Sequence, residues 1–385
     1  MKNMDKDFLL QKYFSERNLS QSSINSYISA IKKFEEVTNI TIDKLLIIAE
    51  MEDKNKVSWK ETTIRKHLIN FRTYLYKNYK KNTANLYLAL IKSIFLHFEI
   101  PIQRLPYFSM KQVNESSPIY YDDLPDKDII KKCIEIANPR ISALILLMSS
   151  SGLTKVDILK MSICTFLEST IEYHSGNISM YNLQELTESR EDIIPTWKLK
   201  RQKTNKRFFT FSSPESTEAI LTYLATRKNL EVNSPLFNIG DRYVNYCFKE
   251  INDKLHLGKA GVYVKFRPHI LRKFHASQLY RAGMAQDKID LLQGRTPSSV
   301  HQSYFKEDPN SLKQEYIKCL PYLVLDESKK FKTALDLEKE KSAKLEESNK
   351  LKDEKVNDLE NRLDKVEAIF DGVDMNELKH LKRFM

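Results

Sequence analysis

Two short blocks of polar residues stand out as capable of joint chemistry. One runs His269-Ile-Leu-Arg272, then Leu292-Gln-Gly294-Arg295, then Tyr304. The other is Trp197-Lys-Leu-Lys-Arg201-Gln-Lys203-Thr204. Residues three apart on a helix share a face, so His269 and Arg272 would present an imidazole beside a guanidinium. That pairing suits a phosphodiester: arginine binds two oxygens, while histidine donates to an oxygen or shuttles a proton. A glycine that ends a helix, as Gly294 would, can turn Arg295 into the same pocket. Tyr304 offers a phenolic oxygen able to form a covalent phosphate ester. The implied chemistry is transesterification at a phosphate.

The elements that must position these residues are mostly helices. Pro268 to Ala282 reads as a helix ended by Gly283, with a further helix to Leu292. Ile193 to Lys200 and Phe208 to Phe211 read as strands joined by the polar turn Arg201 to Lys206. Ser213-Pro214-Glu215 starts another helix, and Ile129 to Ala137 and Ile141 to Met148 are two more. Upstream, helical spacing predicts four short helices in residues 7–100, one of them capped by Ser20 or Ser22. Periodicity then fails across Pro101, Pro106, Pro118 and Pro125, which predicts a linker. From Glu327 an a/d series ending in Val356, Leu359, Leu363, Val366 and Phe370 predicts a coiled coil. The expected fold class is therefore mainly α. The divisions are an all-helical unit over 1–100, a linker over 101–125, an α-rich unit with a small β-hairpin sheet over 126–326, and a coiled-coil tail over 327–385.

Composition narrows the partners. The chain has 385 residues with 62 Lys and Arg against 51 Asp and Glu. Fourteen of the cations and fifteen of the acids lie from Glu327 onward, leaving 48 against 36 in residues 1–326. A basic body with a neutral tail points to a polyanion. Only eight glycines are present, and none has the spacing of a Walker loop or a dinucleotide fingerprint. Nucleotide-driven motors, kinases and Rossmann dehydrogenases are thereby disfavoured, and no nucleotide cofactor is expected. Cysteines at 133, 164, 247 and 319 are too far apart in sequence for a zinc motif or a disulfide framework. No run approaches a membrane span and no signal-like segment opens the chain, so a cytoplasmic, nucleoid-associated protein with no membrane partner is expected.

His269-x-x-Arg272, Gly294-Arg295 and Tyr304, in that order, resemble the tyrosine recombinases, or phage-type integrases, over roughly residues 7–325. Arg295, where many members have histidine after the glycine, is most similar to the branch of integrases from archaeal viruses and integrative elements. The resemblance implies a helical core-binding domain followed by a catalytic domain. It implies site-specific cutting and rejoining of double-stranded DNA through a 3′-phosphotyrosine, without metal or ATP, by a homotetramer on its recombination sites. Tyr304 would be the nucleophile, Arg272 would hold the scissile phosphate and His269 would assist. Arg295 would stand at the family's second His/Trp position, and Lys203 would protonate the leaving 5′ oxygen. Arg201, Lys200 and Lys206 stand close enough to share that last place. One departure is plain. Where the family has Gly-Leu-Arg, this chain has Gly152-Leu153-Thr154-Lys155, and Lys155 keeps the charge but loses bidentate geometry. Two alternatives stay open: a type IB topoisomerase-like nicking-closing enzyme, and a non-catalytic DNA-binding protein derived from a recombinase.

Overall fold

The computed structural model describes residues 8–109, 120–175, 177–189, 192–203, 205–295 and 308–326, with Lys355 alone beyond them. The expected coiled coil over 327–385 lies otherwise outside the described residues. The chain forms two compact units, one within residues 1–118 and one within 119–385.

The first unit is all helix: α1 (Phe8–Glu16), α2 (Gln21–Thr38), α3 (Ile42–Lys54), α4 (Thr63–Asn78) and α5 (Lys81–His97). Ser20 caps α2 by accepting from the Ser23 amide, and Thr41 caps α3 by accepting from that of Lys44. Their faces meet around Phe34 and Phe71, edge to face at 5.1 Å, with Leu45, Leu68, Leu75 and Ile91 fully buried. Sequence spacing predicts four helices here, and the described residues form five. The extra one, α3, buries Ile42, Leu45, Leu46 and Ala49, which is clean helical spacing. Exposed Ile47 and Met51 obscure that period in the sequence. Beyond α5, Ile100 and Leu105 still pack on this core. The buried Arg72 donates to the Pro106 carbonyl at 2.6 Å.

In the second unit α6 (Lys127–Glu135) leads into α7 (Pro139–Ser151), the central helix. Asn138 caps α7 and Pro139 takes its first position, where a missing N–H costs nothing. Ile141, Ala143, Leu144, Ile145, Leu147 and Met148 of α7 are all buried. A helix apolar all round belongs in the middle of a core, and α11 (Pro214–Ala225) and α13 (Pro268–Arg281) flank it. Short helices α8 (Lys155–Ile158), α9 (Ile163–Ser169) and α10 (Tyr181–Glu188) lead to an antiparallel hairpin, β1 (Thr196–Lys200) and β2 (Arg207–Phe211). Its register pairs Thr196 with Phe211 and Lys200 with Arg207. The expected strand from Ile193 begins only at Thr196, after Pro195, which has no N–H to give a ladder. Trp197 anchors the hairpin: fully buried, it donates to Ser212 Oγ at 3.0 Å and tilts against Phe166.

The remaining elements are α12 (Asp241–Lys254), the short pair β3 (Lys259–Ala260) and β4 (Tyr263–Val264), α14 (Gln286–Leu292) and α15 (Pro309–Leu323). The β3–β4 pair is a second two-stranded sheet beyond the single one expected. No described helix is long and apolar enough to cross a membrane.

Candidate active site

Arg272 is the centre of the site. It projects from α13, three residues after His269, and its residue is only 3% exposed. Its Nη1 donates to the Gly152 carbonyl and its Nη2 to that of Gln293, both at 2.5 Å. Gln293 returns a bond from Nε2 to the Arg272 carbonyl at 3.0 Å. The guanidinium is thus clamped between the end of α7 and the end of α14. Asp157 and Asp290 act on it through space. Burial, then the nearby charges of Arg295 and Arg201, bring its pKa down to about 10. A cation held in this way has charge to spare for an anion.

Two helix ends create the clamp. Gly152 closes α7 in the left-handed region at φ +65, and Gly294 follows α14 at φ +59. Neither position has room for a side chain. A Cβ on Gly152 would sit 2.5 Å from His275 Nδ1, and one on Gly294 would sit 2.8 Å from the Phe208 ring. The Gly152-Leu153 segment spans a break between two helices. Gly152 ends α7, and Thr154 caps the next helix, so Lys155 is the first residue of α8.

His269, at the second position of α13, keeps an exposed edge. Loss of water around its ring, followed by the cations Lys273, Arg272, Arg267 and Arg295, lowers its pKa. The imidazole is therefore neutral near pH 7, free to accept one proton and donate another. Lys155, His269 and Arg272 line one cavity of about 280 Å³, with Arg267 and Asn245. Lys155 is engaged there: its Nζ lies 2.7 Å from an Asp241 carboxylate oxygen and donates to Asn245 Oδ1 at 2.8 Å. Arg295, just past Gly294, donates to Asp290 Oδ1 at 3.1 Å. Lys203 stands exposed in the hairpin turn. Tyr304 lies outside the described residues.

His275, one turn beyond Arg272 on the same helix, is a packing residue. It is completely buried, and its Nδ1 accepts from Gln293 Nε2 at 3.1 Å, which puts its proton on Nε2. Burial, with the charges of Arg272 and Arg295, lowers its pKa to about 3. Tyr316, another phenol of this unit, is also fully buried and donates to the Ser150 carbonyl at 2.8 Å. Burial holds its pKa well above the ordinary value, so it has neither the access nor the acidity of a nucleophile. Gln293 and Asp157 are structural partners that sequence reasoning missed. Neither has a spacing signal of its own. Asp157 is visible only once the hairpin turn lies against α8, where its Oδ1 accepts from the Gln202 amide at 3.0 Å.

No protein-family model matches the sequence, and no curated protein matches it. Solved structures do. The lambda integrase tetramer bound to a Holliday junction is 13% identical with a TM-score of 0.51, covering 78% of this chain and 77% of that one. XerH site-specific recombinase bound to difH substrate, in a pre-cleavage complex, is 15% identical with a TM-score of 0.46, covering 80% and 83%. The Tn1549 transposon integrase in complex with transposon right end DNA is 13% identical with a TM-score of 0.46, covering 80% and 98%. The lambda integrase likeness carries the fold: this mainly helical chain with its small antiparallel hairpin shares the architecture of that integrase.

Proposed function

We propose that this protein is a tyrosine-type site-specific DNA recombinase. The carrying observation is the buried Arg272, clamped by two carbonyls beside His269 and among further arginines. Preorganised cations of this kind stabilise charge that develops in a transition state without reorganising when it appears. In the proposed reaction the Tyr304 phenolic oxygen attacks phosphorus, forming a 3′-phosphotyrosine as the bond to the 5′ oxygen breaks. Lys203 delivers a proton to that oxygen. Arg272, Arg295 and Lys155 balance the charge on the phosphate, and neutral His269 takes the phenolic proton as the new bond to phosphorus forms. Attack by the 5′ hydroxyl of another strand reverses the step and releases Tyr304, so bond energy is conserved throughout.

The partner in this reading is double-stranded DNA carrying specific sites, bound by a homotetramer through the basic residues 1–326. The tail over 327–385 would join protomers. Arg295 after Gly294 favours the archaeal branch of integrases. Action on DNA places the protein with the nucleoid. One observation favours a second reading: Lys155 is already paired with Asp241. A recombinase-derived protein that binds DNA without cutting it would tolerate that pairing.

The deciding experiment starts from the duplex that the full chain selects out of a random-sequence pool. That duplex, nicked so that cleavage releases a short fragment, traps a covalent adduct if the protein is a recombinase. Adduct with wild type and none with Tyr304→Phe is the expected result. Selective binding without any adduct would establish the DNA-binding reading instead. Relaxation of supercoiled DNA lacking the selected site would point to a topoisomerase.

A further inference from the structure

Arg201 directly follows the hairpin strand β1, and its backbone is fixed by two bonds across the turn. Its amide donates to the Lys206 carbonyl and its carbonyl accepts from the Asn205 amide, both at 2.8 Å. The next residue, Gln202, is tied through its amide to Asp157, whose other oxygen accepts from Thr154 Oγ1 at 2.6 Å. The strand end is therefore pinned to α8. Its guanidinium is pinned on the other side, donating through Nη1 to the Gly294 carbonyl. Phe208 of β2 packs over Gly294 so closely that no Cβ would fit there.

Arg272 donates to the Gln293 carbonyl. Arg201 and Arg272 thus hold consecutive carbonyls of one chain turn, approaching it from a hairpin and from a helix more than sixty residues downstream. Arg295 follows immediately in sequence. Like charges gathered in a desolvated place oppose folding unless something answers them. The carboxylates Asp157 and Asp290 answer only part, since burial, and then Arg295 and Arg201, still lower the pKa of Arg272. Lys155 differs in that a carboxylate oxygen of Asp241 lies 2.7 Å from its Nζ. Arg201 instead spends one of its five N–H donors on a neutral carbonyl, which leaves its charge available.

We infer that Arg201 is a phosphate-binding catalytic residue, gripping the scissile phosphate beside Arg272 from the hairpin side. This rests on the recombinase reading above. It assigns to the hairpin a fixed guanidinium for transition-state charge, in addition to an exposed proton-donating Lys203.

The test uses the full chain and the nicked duplex that it selects, made once with an ordinary scissile phosphodiester and once with a neutral methylphosphonate there. Arg201→Gln keeps a donor for the Gly294 carbonyl and removes the charge. Its single-turnover adduct formation on the phosphodiester is expected to fall by about 10²–10³, with duplex affinity and melting close to wild type. On the methylphosphonate, where less negative charge develops, the gap between Arg201→Gln and wild type should shrink to within about tenfold. A residue that merely held the hairpin in place would slow both substrates alike, and that result, or a wild-type rate on the phosphodiester, overturns the inference. Should Arg201→Gln fail to melt cooperatively, Arg201→Lys decides on the same two substrates. A rate ratio shifted toward the methylphosphonate supports phosphate contact, and an unshifted ratio overturns it. Absence of adduct from wild type overturns the recombinase reading itself, and this role with it.

Discussion

Gly152 and His275 sit so close that a methyl group on the first would penetrate the ring of the second: an ideal Cβ lies 2.5 Å from Nδ1. The same glycine ends α7 at φ +65 and gives its carbonyl to Arg272. One residue therefore sets the helix end, the position of a buried histidine and the aim of the central guanidinium. Gly152→Ala combines a left-handed penalty of roughly 1–2 kcal/mol with overpacking of about 1–3 kcal/mol. Chemical denaturation should report a loss of about 2–5 kcal/mol, with adduct formation impaired even in the fraction that folds.

The two phenols of interest should respond differently. Tyr304→Phe removes the proposed attacking oxygen and should abolish the adduct while leaving folding and DNA binding intact. Tyr316→Phe leaves the Ser150 carbonyl without its buried donor, costing about 1 kcal/mol of stability. It should still form adduct. Peptide mapping of the adduct to Tyr316 would contradict its burial.

His275 makes a pH signature. The unfolded chain takes up its imidazole proton near the ordinary histidine value of about 6.5. The folded chain does so only near 3, because burial and the charges of Arg272 and Arg295 oppose it. Between those values the unfolded state holds more protons, so stability is full above the first and falls as pH drops toward the second. The slope approaches ~1.4 kcal/mol per pH unit for this group. His275→Gln should lose that slope between pH 6.5 and 5, above the range where most carboxylates titrate. Equal slopes for the two proteins in urea titrations would show that His275 does not carry it.

Lys155 and Asp241 should behave as a pair. Lys155→Ala is expected to slow strand cleavage by up to ~10²–10³. Asp241→Asn, which releases the ammonium from its 2.7 Å ion pair, should speed it. Single-turnover rates on the selected nicked duplex decide the matter. Wild-type rates from both variants would make the pair a surface tether for α8.

Binding to DNA should weaken steeply with salt, because residues 1–326 hold 48 Lys and Arg against 36 Asp and Glu. Contact with six to ten phosphates predicts a loss of ~10³–10⁵ in affinity between 50 and 200 mM salt. Fluorescence anisotropy with the selected duplex measures it, and a nearly flat response would rule out a phosphate-based grip.

The features legible in the amino-acid sequence are local or additive. Helical spacing announces α2, α4, α5 and α7. Pro214 and Pro268 mark helix starts, and Gly283 and Gly294 mark helix ends. Each of these follows from backbone preferences acting within a few residues, and the excess of basic charge is a plain sum. His269 and Arg272 could be paired from sequence because one helix turn joins them. Helix α3 escaped because exposed Ile47 and Met51 blur its apolar stripe, and only packing tells which face is inside. Tertiary structure alone decided that Gly152, Gln293 and His275 interlock. It also decided that Asp157 receives the hairpin turn, that Lys155 meets Asp241, and that Arg201 and Arg272 hold adjacent carbonyls. Those contacts join residues about 20 to 140 positions apart, and their energies come from close packing and desolvated charge. Neither quantity exists until the chain has closed on itself.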